Sequence, residues 1–249
     1  MSIDPLISAL DNPLRIELLN NLTLGDLRVQ ELSEQTGAPM NLVSYHLKKL
    51  KEAGLVRERR SIADGRDQYY SLELRSLQDQ YLALGAALHP SISIDRSCLP
   101  AVEIIDDLDP GVLFLCTHNS ARSQMAETIL RARSGGHIRV VSAGTHPSGV
   151  HPLAIEVLEA RGYPVSSLRS KALEPFADQP FKYVITVCDR AREECPVFTG
   201  AAHSLHWSIP DPVEAGGTAR ERRRVFEAAA DELEARIGSF LIAAQSEGE

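Results

Sequence analysis

Residues 112–123 combine a strand pattern with a cysteine and an arginine at a spacing that suits oxyanion chemistry. The apolar run that opens this segment predicts a strand, and Ser123 and Glu127 are typical of a helix start. Backbone amides of the intervening loop and the Arg122 guanidinium can converge on one tetrahedral oxyanion. Cys116 would lie beneath that anion. A helix amino terminus and a guanidinium both stabilise a thiolate, so we expect the pKa of the Cys116 thiol to be strongly lowered. We therefore expect sulfur to attack a phosphorus or arsenic centre.

The stretch Cys116-Thr-His-Asn-Ser-Ala-Arg-Ser-Gln-Met-Ala-Glu127 resembles the low-molecular-weight tyrosine phosphatases. Within that fold it resembles the thioredoxin-coupled arsenate reductases, over about residues 111–243. The resemblance implies a three-layer α/β/α domain with a short parallel sheet. It also implies that Ser123 donates its hydroxyl to the thiolate and that Asn119 holds the turns of the loop. The residues expected to bind the oxyanion are Thr117, His118, Asn119, Ser120, Ala121 and Arg122. The competing interpretation is a buried structural cysteine that lies near an arginine by chance.

A second pair of cysteines, Cys188 and Cys195, follows a strand predicted at residues 183–187. Because the carboxyl ends of parallel strands share one edge of a sheet, Cys188 is expected at the same edge as Cys116. The three thiols can form a relay in which Cys116 binds the oxyanion, Cys188 attacks the adduct and Cys195 attacks in turn. Arsenate reduction needs two electrons, which a dithiol supplies by becoming a disulfide, whereas phosphate hydrolysis needs none. A zinc site is the alternative, but this cysteine spacing suits zinc poorly, so we predict no metal and no bound cofactor.

The segment Trp207-Ser-Ile-Pro-Asp211-Pro212 places a carboxylate on a loop stiffened by two prolines. Resemblance to both families implies that Asp211 is the acid that protonates the leaving oxygen. An Asp-Pro pair alone is usually only a turn. Tyrosine phosphatases typically follow this pair with aromatic residues, but this chain continues Val213-Glu-Ala-Gly-Gly217. Nothing there can stack on tyrosine, which counts against a phosphatase acting on protein tyrosines.

Arsenate reductases that bind potassium do so with the equivalents of Asn119, Glu127 and Ser142, together with an aspartate after the next helix. In this chain Lys171 takes the place of that aspartate. The resemblance therefore implies that a fixed ammonium group replaces the ion near Glu127, so potassium dependence is not expected.

Length and composition indicate more than one domain in a non-membrane protein. The chain has 249 residues, of which 43% are hydrophobic and 24% charged. No apolar run approaches the roughly 20 residues of a membrane span, and the first residues lack a signal-peptide pattern, so we expect a cytoplasmic protein. In that reducing compartment, cysteines are more often catalytic or redox-active than structural. We predict a DNA-binding domain at residues 1–90, a linker at 91–109 and a catalytic domain at 110–245.

Residues 1–90 show the pattern of a winged helix-turn-helix: three helices, then a strand, a turn and a strand. The stretch Asn41-Leu-Val-Ser-Tyr-His-Leu-Lys-Lys-Leu-Lys-Glu-Ala-Gly-Leu-Val56 resembles the arsenical-resistance repressor (ArsR) family. The resemblance implies operator DNA as a partner. It also implies a homodimer through residues 3–10 and 74–88, because winged-helix repressors read two half-sites.

Charge favours DNA contact by one part of this domain. Residues 42–66 contain seven Lys or Arg and three Asp or Glu, whereas the whole chain has a net charge of −8. Such a basic face is typical of a groove-reading helix with a phosphate-touching wing. The residues expected to contact DNA are Asn41, Ser44, Tyr45, His46, Lys48, Arg59, Arg60 and Arg66. For Lys48, a solvated helix face is the competing interpretation.

The sequence lacks the usual arsenite-sensing cysteines of such repressors. The segment before the recognition helix, residues 26–32, has no cysteine, and residues 74–89 lack a zinc-binding pattern. Cys98 lies alone in the predicted linker. One thiol cannot supply the two or three sulfurs that As(III) prefers unless a dimer partner or the catalytic half contributes the others, so a cysteine without a sensing role is favoured.

We therefore predict a DNA-binding regulator fused to an arsenate reductase that an external dithiol such as thioredoxin re-reduces. Two alternatives stay open. One is a low-molecular-weight phosphatase fused to a DNA-binding domain, and residual phosphatase activity is compatible with a reductase. The other is a regulator whose carboxy-terminal half only senses oxyanions or thiols. Such a regulator should tolerate loss of Cys188, whereas a reductase should not.

Overall fold

The structure, a computed structural model, describes residues 5–89, 108–194, 198 and 200–246. The chain divides into two units, Met1–Ala101 and Val102–Glu249. Most of the predicted linker, with Cys98, lies outside the described residues, and so does Cys195. No helix in the described part of the chain is long and apolar enough to cross a membrane.

The described part of the first unit consists of helices around a small antiparallel sheet of order β1-β3-β2. Its elements are α1 (Pro5–Leu10), α2 (Pro13–Asn21), β1 (Leu27–Arg28), α3 (Val29–Thr36), α4 (Met40–Glu52), β2 (Val56–Arg60), β3 (Gln68–Leu72) and α5 (Leu74–Leu88). Local sequence explains several boundaries. Asn12 caps α2, whose first residue is a proline, and Gly37 ends α3 in the left-handed conformation that favours glycine. The predicted winged helix-turn-helix is confirmed.

Helix α4 lies against the core of the first unit along one stripe. Val43, Leu47 and Leu50 recur at helical spacing, and all three are fully buried together with Leu18 of α2 and Leu32 of α3. The opposite face of α4 is left exposed. Only the residues of α4 that lie outside this buried stripe are therefore available to contact a binding partner.

The second unit is built on a parallel sheet of order β5-β4-β6-β7. Its elements are β4 (Val112–Cys116), α6 (Arg122–Arg133), β5 (Val140–Gly144), α7 (Pro152–Ala160), β6 (Phe181–Thr186), α8 (Asp189–Glu194), β7 (Ala201–His206) and α9 (Ala219–Ser246), with short 3-10 turns at Glu174–Phe176 and Pro212–Glu214. The predicted α/β fold with a short parallel sheet is confirmed.

Both faces of this sheet are covered. On one face the rings of Tyr183 and Trp207 pack against Phe240 of α9. On the other face Leu115 and Val184 pack with the segment that contains Leu173 and Phe176. Strand β4 is buried along its whole length, as its continuous apolar sequence predicts.

The strand order creates a switch point between β4 and β6. The chain leaves β4 toward β5 on one side and later returns to β6 on the other. Open α/β sheets bind ligands at the carboxyl edge of such a switch point. Cys116 ends β4, and Cys188 follows the end of β6.

Candidate active site

The loop that follows β4 wraps its backbone around the sulfur of Cys116. Cys116 is a free cysteine with 4% of its surface exposed. Its Sγ accepts a hydrogen bond from the backbone N–H of Asn119 at 3.0 Å and lies 2.9 Å from Ser123 Oγ. Since Ser123 Oγ also accepts from Asn119 Nδ2, the serine proton is left for the sulfur. Both contacts stabilise a thiolate.

Asn119 holds the turns of this loop. Its φ of 46° lies in the left-handed region, which an asparagine tolerates better than most residues. Its side-chain Nδ2 donates to Ser142 Oγ of β5, and its Oδ1 accepts from the backbone N–H of Lys171 at 2.7 Å. A fully buried side chain thus ties the loop to two other segments. The backbone strain is held by tertiary contacts, as is common at functional sites.

Helix α6 starts differently from the sequence prediction. It begins at Arg122 with Ala121 as its N-cap, and that cap has no side-chain hydrogen bond. Ser123 and Glu127 were expected to mark the helix start, but Ser123 contacts Cys116, and Glu127 bonds with groups outside the helix start. The helix itself is present and begins within one residue of Ser123, but these two side chains do not cap it, because they make contacts within the site instead.

The six predicted oxyanion-binding residues line this loop with differing burial. Thr117, Asn119, Ala121 and Arg122 are buried, whereas Ser120 is half-buried and His118 is exposed. Sequence reasoning missed Gly144 at the end of β5. A Cβ atom there would lie 2.8 Å from the Asn119 nitrogen and from the Thr117 oxygen, so only glycine allows the loop to pack this closely.

Arg122 and Asp211 form an ion pair beside the loop. Arg122 Nη2 donates to the Asp211 carboxylate, and Nη1 donates to the carbonyl of Ile209 at 2.9 Å. The second Asp211 oxygen accepts from the backbone N–H of Val213. The side chains of Arg122 and Asp211 are only 9% and 16% exposed. A guanidinium and a carboxylate therefore stand together at the edge of the cysteine loop.

Cys188 lies at the same edge of the sheet as Cys116. It is a free, buried cysteine whose Sγ lies 3.5 Å from Thr117 Oγ1 in the Cys116 loop. The backbone N–H of Ala191, in the first turn of α8, donates to the same sulfur at 3.4 Å. Two of the three predicted relay thiols are thus brought to one edge, while Cys195 lies outside the described residues.

The ammonium group of Lys171 lies 2.8 Å from the buried carboxylate of Glu127, as the sequence predicted. Glu127 also accepts from Ser142 and pairs with Arg131. Ser142 accepts from Asn119, so Lys171 is connected to the cysteine loop through hydrogen bonds. Within the described ranges, no three His, Cys, Asp or Glu side chains are grouped so that they could hold a metal ion.

The pKa of the Cys116 thiol is raised above its ordinary value, contrary to the acidified thiol expected from the sequence. Burial is the main cause, and the nearby Cys188 raises the pKa further. Ser123, Arg122 and the Asn119 amide act in the opposite direction. Burial disfavours the charged form of any thiol, and the sequence shows the favourable neighbours but not the burial.

We predict that Cys188→Ala lowers the pKa of Cys116. The neighbouring Cys188 raises the pKa of Cys116, so its removal favours ionisation of Cys116 and should move the dependence of alkylation on pH toward lower pH. The measurement is the rate of iodoacetamide labelling of Cys116 against pH, followed by peptide mass. Ser123→Ala should shift the profile the opposite way. An unchanged profile in Cys188→Ala would show that the two sulfurs do not interact.

The predicted DNA-contacting residues of α4 separate into exposed and buried positions. Asn41, Ser44, Tyr45 and Lys48 are exposed. His46 is only 7% exposed, and burial together with Arg15 lowers its pKa. Its prediction as a base-contacting residue was wrong, because position 46 lies on the same stripe of α4 as the core residues.

The basic residues of the wing lie on and beyond β2. Arg60 is exposed and Arg59 half-buried, both on β2. Arg66, at the turn before β3, is 90% exposed and pairs with Asp64 at 2.7 Å. This pairing lowers the pKa of Asp64 to about 2. A DNA phosphate would have to compete with that carboxylate for Arg66.

Two family models match the chain. Residues 111–248 match the low molecular weight phosphotyrosine protein phosphatase model, and residues 12–58 match the model of bacterial regulatory proteins of the arsR family. The second unit is also similar to curated arsenate reductases. That of Halalkalibacterium halodurans is 36% identical over 129 residues, which cover 52% of this chain and 93% of the relative. That of Bacillus subtilis is 33% identical with the same coverage.

Among solved structures, the chain is similar to an arsenate reductase in the phosphate binding state. The identity is 30%, with 53% of this chain and 97% of that chain covered, and the TM-score is 0.47. It is also similar to the YwlE arginine phosphatase from Geobacillus stearothermophilus, at 25% identity and a TM-score of 0.45, with 55% of this chain and 93% of that chain covered.

Proposed function

Because the chain belongs to the low molecular weight phosphotyrosine protein phosphatase family and carries an arsR-family helix-turn-helix domain ahead of it, we propose that it is a DNA-binding transcriptional regulator fused to an arsenate reductase. The observation that carries the reductase half is the second free thiol. Cys188 lies within 3.5 Å of the loop that surrounds Cys116, and hydrolysis of a phosphate would not need it. The relatives named as arsenate reductases support the same choice of substrate.

The first step of the proposed reaction uses the Cys116 loop and the Arg122–Asp211 pair. Arsenate binds to the loop amides and to Arg122, which neutralise its charge. The Cys116 sulfur attacks arsenic and displaces one oxygen. Asp211 donates a proton to that oxygen, which leaves as water. The product is a covalent bond between sulfur and As(V), and no electrons have yet reached arsenic.

The second step is the redox step. The Cys188 thiolate attacks the sulfur of Cys116, and the electron pair of the sulfur–arsenic bond moves onto arsenic. Arsenite, As(III), leaves, and a Cys116–Cys188 disulfide remains. Cys195 then attacks Cys188, which restores the Cys116 thiol and leaves a Cys188–Cys195 disulfide. Thioredoxin or a similar dithiol reduces that disulfide, which suits a cytoplasmic location.

A second candidate activity is the hydrolysis of small aryl phosphates. Cys116, Arg122 and Asp211 are the groups that a phosphoenzyme mechanism needs, and their arrangement does not depend on Cys188. Hydrolysis and arsenate reduction would share the first step and differ in the second. A variant that lacks Cys188 therefore separates the two activities.

We propose that residues 1–90 bind operator DNA as a homodimer, that residues 110–245 form the reductase, and that 91–109 link them. Exposed side chains of α4 are available to base edges, and strand β2 of the wing carries three arginines, Arg57, Arg59 and Arg60. A phosphate backbone is contacted by such basic strands in winged-helix proteins.

The double variant Arg59→Ala, Arg60→Ala should weaken operator binding and flatten its dependence on salt. Each phosphate contact that is lost should reduce the slope of log K against log salt by about 0.9. The measurement is a binding titration at several salt concentrations. Arg220→Ala, Arg222→Ala is the matched control, since it removes the same charge from exposed positions on α9 of the other unit. An unchanged slope in the Arg59, Arg60 variant would remove these arginines from the phosphate contacts.

A further inference from the structure

The amino-terminal half of α4 exposes large apolar side chains. Met40, Leu42 and Tyr45 have 52%, 42% and 55% of their surface exposed. All three lie outside the buried stripe of α4 and outside the core of the first unit. Leu42 and Tyr45 are three residues apart and therefore neighbours on the helix surface. Apolar side chains gathered on one exposed segment mark a contact surface.

The same half of α4 carries no side chain of the kind that usually reads guanine. Residues 40–47 contain no Lys, Arg, Asp or Glu. His46 is buried, and burial lowers its pKa, which favours the neutral ring. Lysines enter only in the second half of the helix, at positions 48, 49 and 51. Since guanine is most often read by arginine or lysine, the start of α4 offers a different chemistry.

The groups at the start of α4 match the major-groove edge of an A·T pair. Asn41 is exposed and lies between Met40 and Leu42 in the first turn. An asparagine amide donates to adenine N7 and accepts from the adenine amino group. Thymine alone presents a methyl group in the major groove, and apolar side chains contact it. In helix-turn-helix proteins the first residues of the recognition helix are the ones that reach base edges.

We propose that the first two turns of α4 read A·T pairs in the major groove, with Asn41 on adenine and the three exposed apolar side chains on thymine methyl groups. This inference rests on the proposed binding of operator DNA by residues 1–90. It adds the base type that the protein selects in each half-site. The arginines of the wing contact phosphates, which strengthens binding without selecting a base.

The test begins with the full-length chain and a library of DNA duplexes that have a random central segment. Duplexes that the protein retains at physiological salt are sequenced, and the half-site that they share is identified. We expect several adjacent A·T pairs in that half-site. A selected half-site without A·T pairs would overturn the inference alone. A protein that retains no sequence in preference to any other would contradict operator binding and the inference together.

Base analogues distinguish these contacts from a preference for the shape of A·T-rich DNA. Deoxyuridine in place of thymine removes only the methyl group, and 7-deazaadenine removes the N7 acceptor while base pairing is kept. At a contacted thymine, deoxyuridine should weaken binding about fourfold, the equivalent of about 0.8 kcal/mol for one buried CH2 group. Equal affinity for thymine and deoxyuridine at every selected position would overturn the assignment of the apolar side chains.

Single variants assign each contact to a side chain. Met40→Ala, Leu42→Ala and Tyr45→Ala should each lose most of the methyl effect at one thymine of the site. Asn41→Ala should become insensitive to 7-deazaadenine at one adenine. Ile242→Ala is the matched control, because it removes an exposed apolar side chain from α9 of the other unit, and it should respond to both analogues as the parent does.

Each variant is compared with itself on two duplexes that differ in a single group. A general loss of stability or of affinity therefore does not imitate the expected result. Retention of the full methyl effect at every thymine in all three apolar variants would overturn the inference, and so would an unchanged response of Asn41→Ala to 7-deazaadenine.

Discussion

Cys116→Ser should abolish both arsenate reduction and the hydrolysis of a small aryl phosphate, whereas Cys188→Ala should abolish only the reduction. Both reactions begin with attack by the Cys116 sulfur, so loss of this nucleophile should reduce each rate by at least about a thousandfold. Cys188 enters only when electrons must pass to arsenic. The measurements are initial rates of arsenite formation and of aryl phosphate hydrolysis.

Cys98→Ala is the matched control for the cysteine variants, since it removes a thiol outside both proposed steps. It should leave both rates unchanged. If Cys188→Ala lost hydrolysis to the same extent as reduction, the second thiol would be needed for the first step. The proposal that Cys188 acts only in the redox step would then be wrong. If Cys188→Ala retained full reduction, the relay itself would be excluded.

The second large effect is expected for Asp211→Asn. The amide keeps the shape of the side chain but cannot give up a proton to the leaving oxygen, and the loss of such an acid lowers rates by about 100-fold to 10,000-fold. The loss should be greatest for aryl phosphates with poor leaving groups, which depend most on protonation. The measurement is the rate for a series of leaving groups.

Glu214→Gln provides the control for Asp211→Asn, because Glu214 is an exposed acid in the same short turn. It should have no effect on the rate or on its dependence on the leaving group. A dependence that is the same in Asp211→Asn as in the parent would mean that Asp211 acts only as the partner of Arg122 and donates no proton.

Local patterns predicted the elements that carry the site. The continuous apolar run of β4, the strand before Cys188 and the stiff loop around Asp211 are short-range signals, and each element is present. What brings these elements together is the strand order, which places β4 beside β6. A parallel sheet requires that the carboxyl ends of its strands share an edge, so the position of Cys116 and Cys188 at one edge followed from the fold class, whereas their proximity follows from the strand order.

Long-range contacts could not be predicted in the same way. Arg122 bonds to Ile209, 87 residues away in the chain, and Asp189 accepts from Ser208, 19 residues away. No local sequence pattern predicts either contact. The buried environment that raises the pKa of Cys116 is likewise a property of the packed unit, which is why the sequence suggested the opposite direction.

One error could have been avoided from the sequence. Positions 43, 46, 47 and 50 recur at helical spacing, so His46 belongs to the apolar stripe of α4 with Val43 and Leu47. Its polar side chain suggested DNA contact, but its position predicted burial. The exposed positions of the same helix, among them Ser44 and Tyr45, stay candidates for base contacts.

The most direct test of the account is a single turnover by the prereduced full-length chain without any external reductant. One equivalent of arsenate should yield a stoichiometric amount of arsenite, and peptide mass should show one new disulfide between Cys188 and Cys195. The dithiol of the chain is then the only source of the two electrons. Absence of arsenite, or arsenite formed while both Cys188 and Cys195 keep free thiols, would contradict the proposal that this protein reduces arsenate through its own thiol relay.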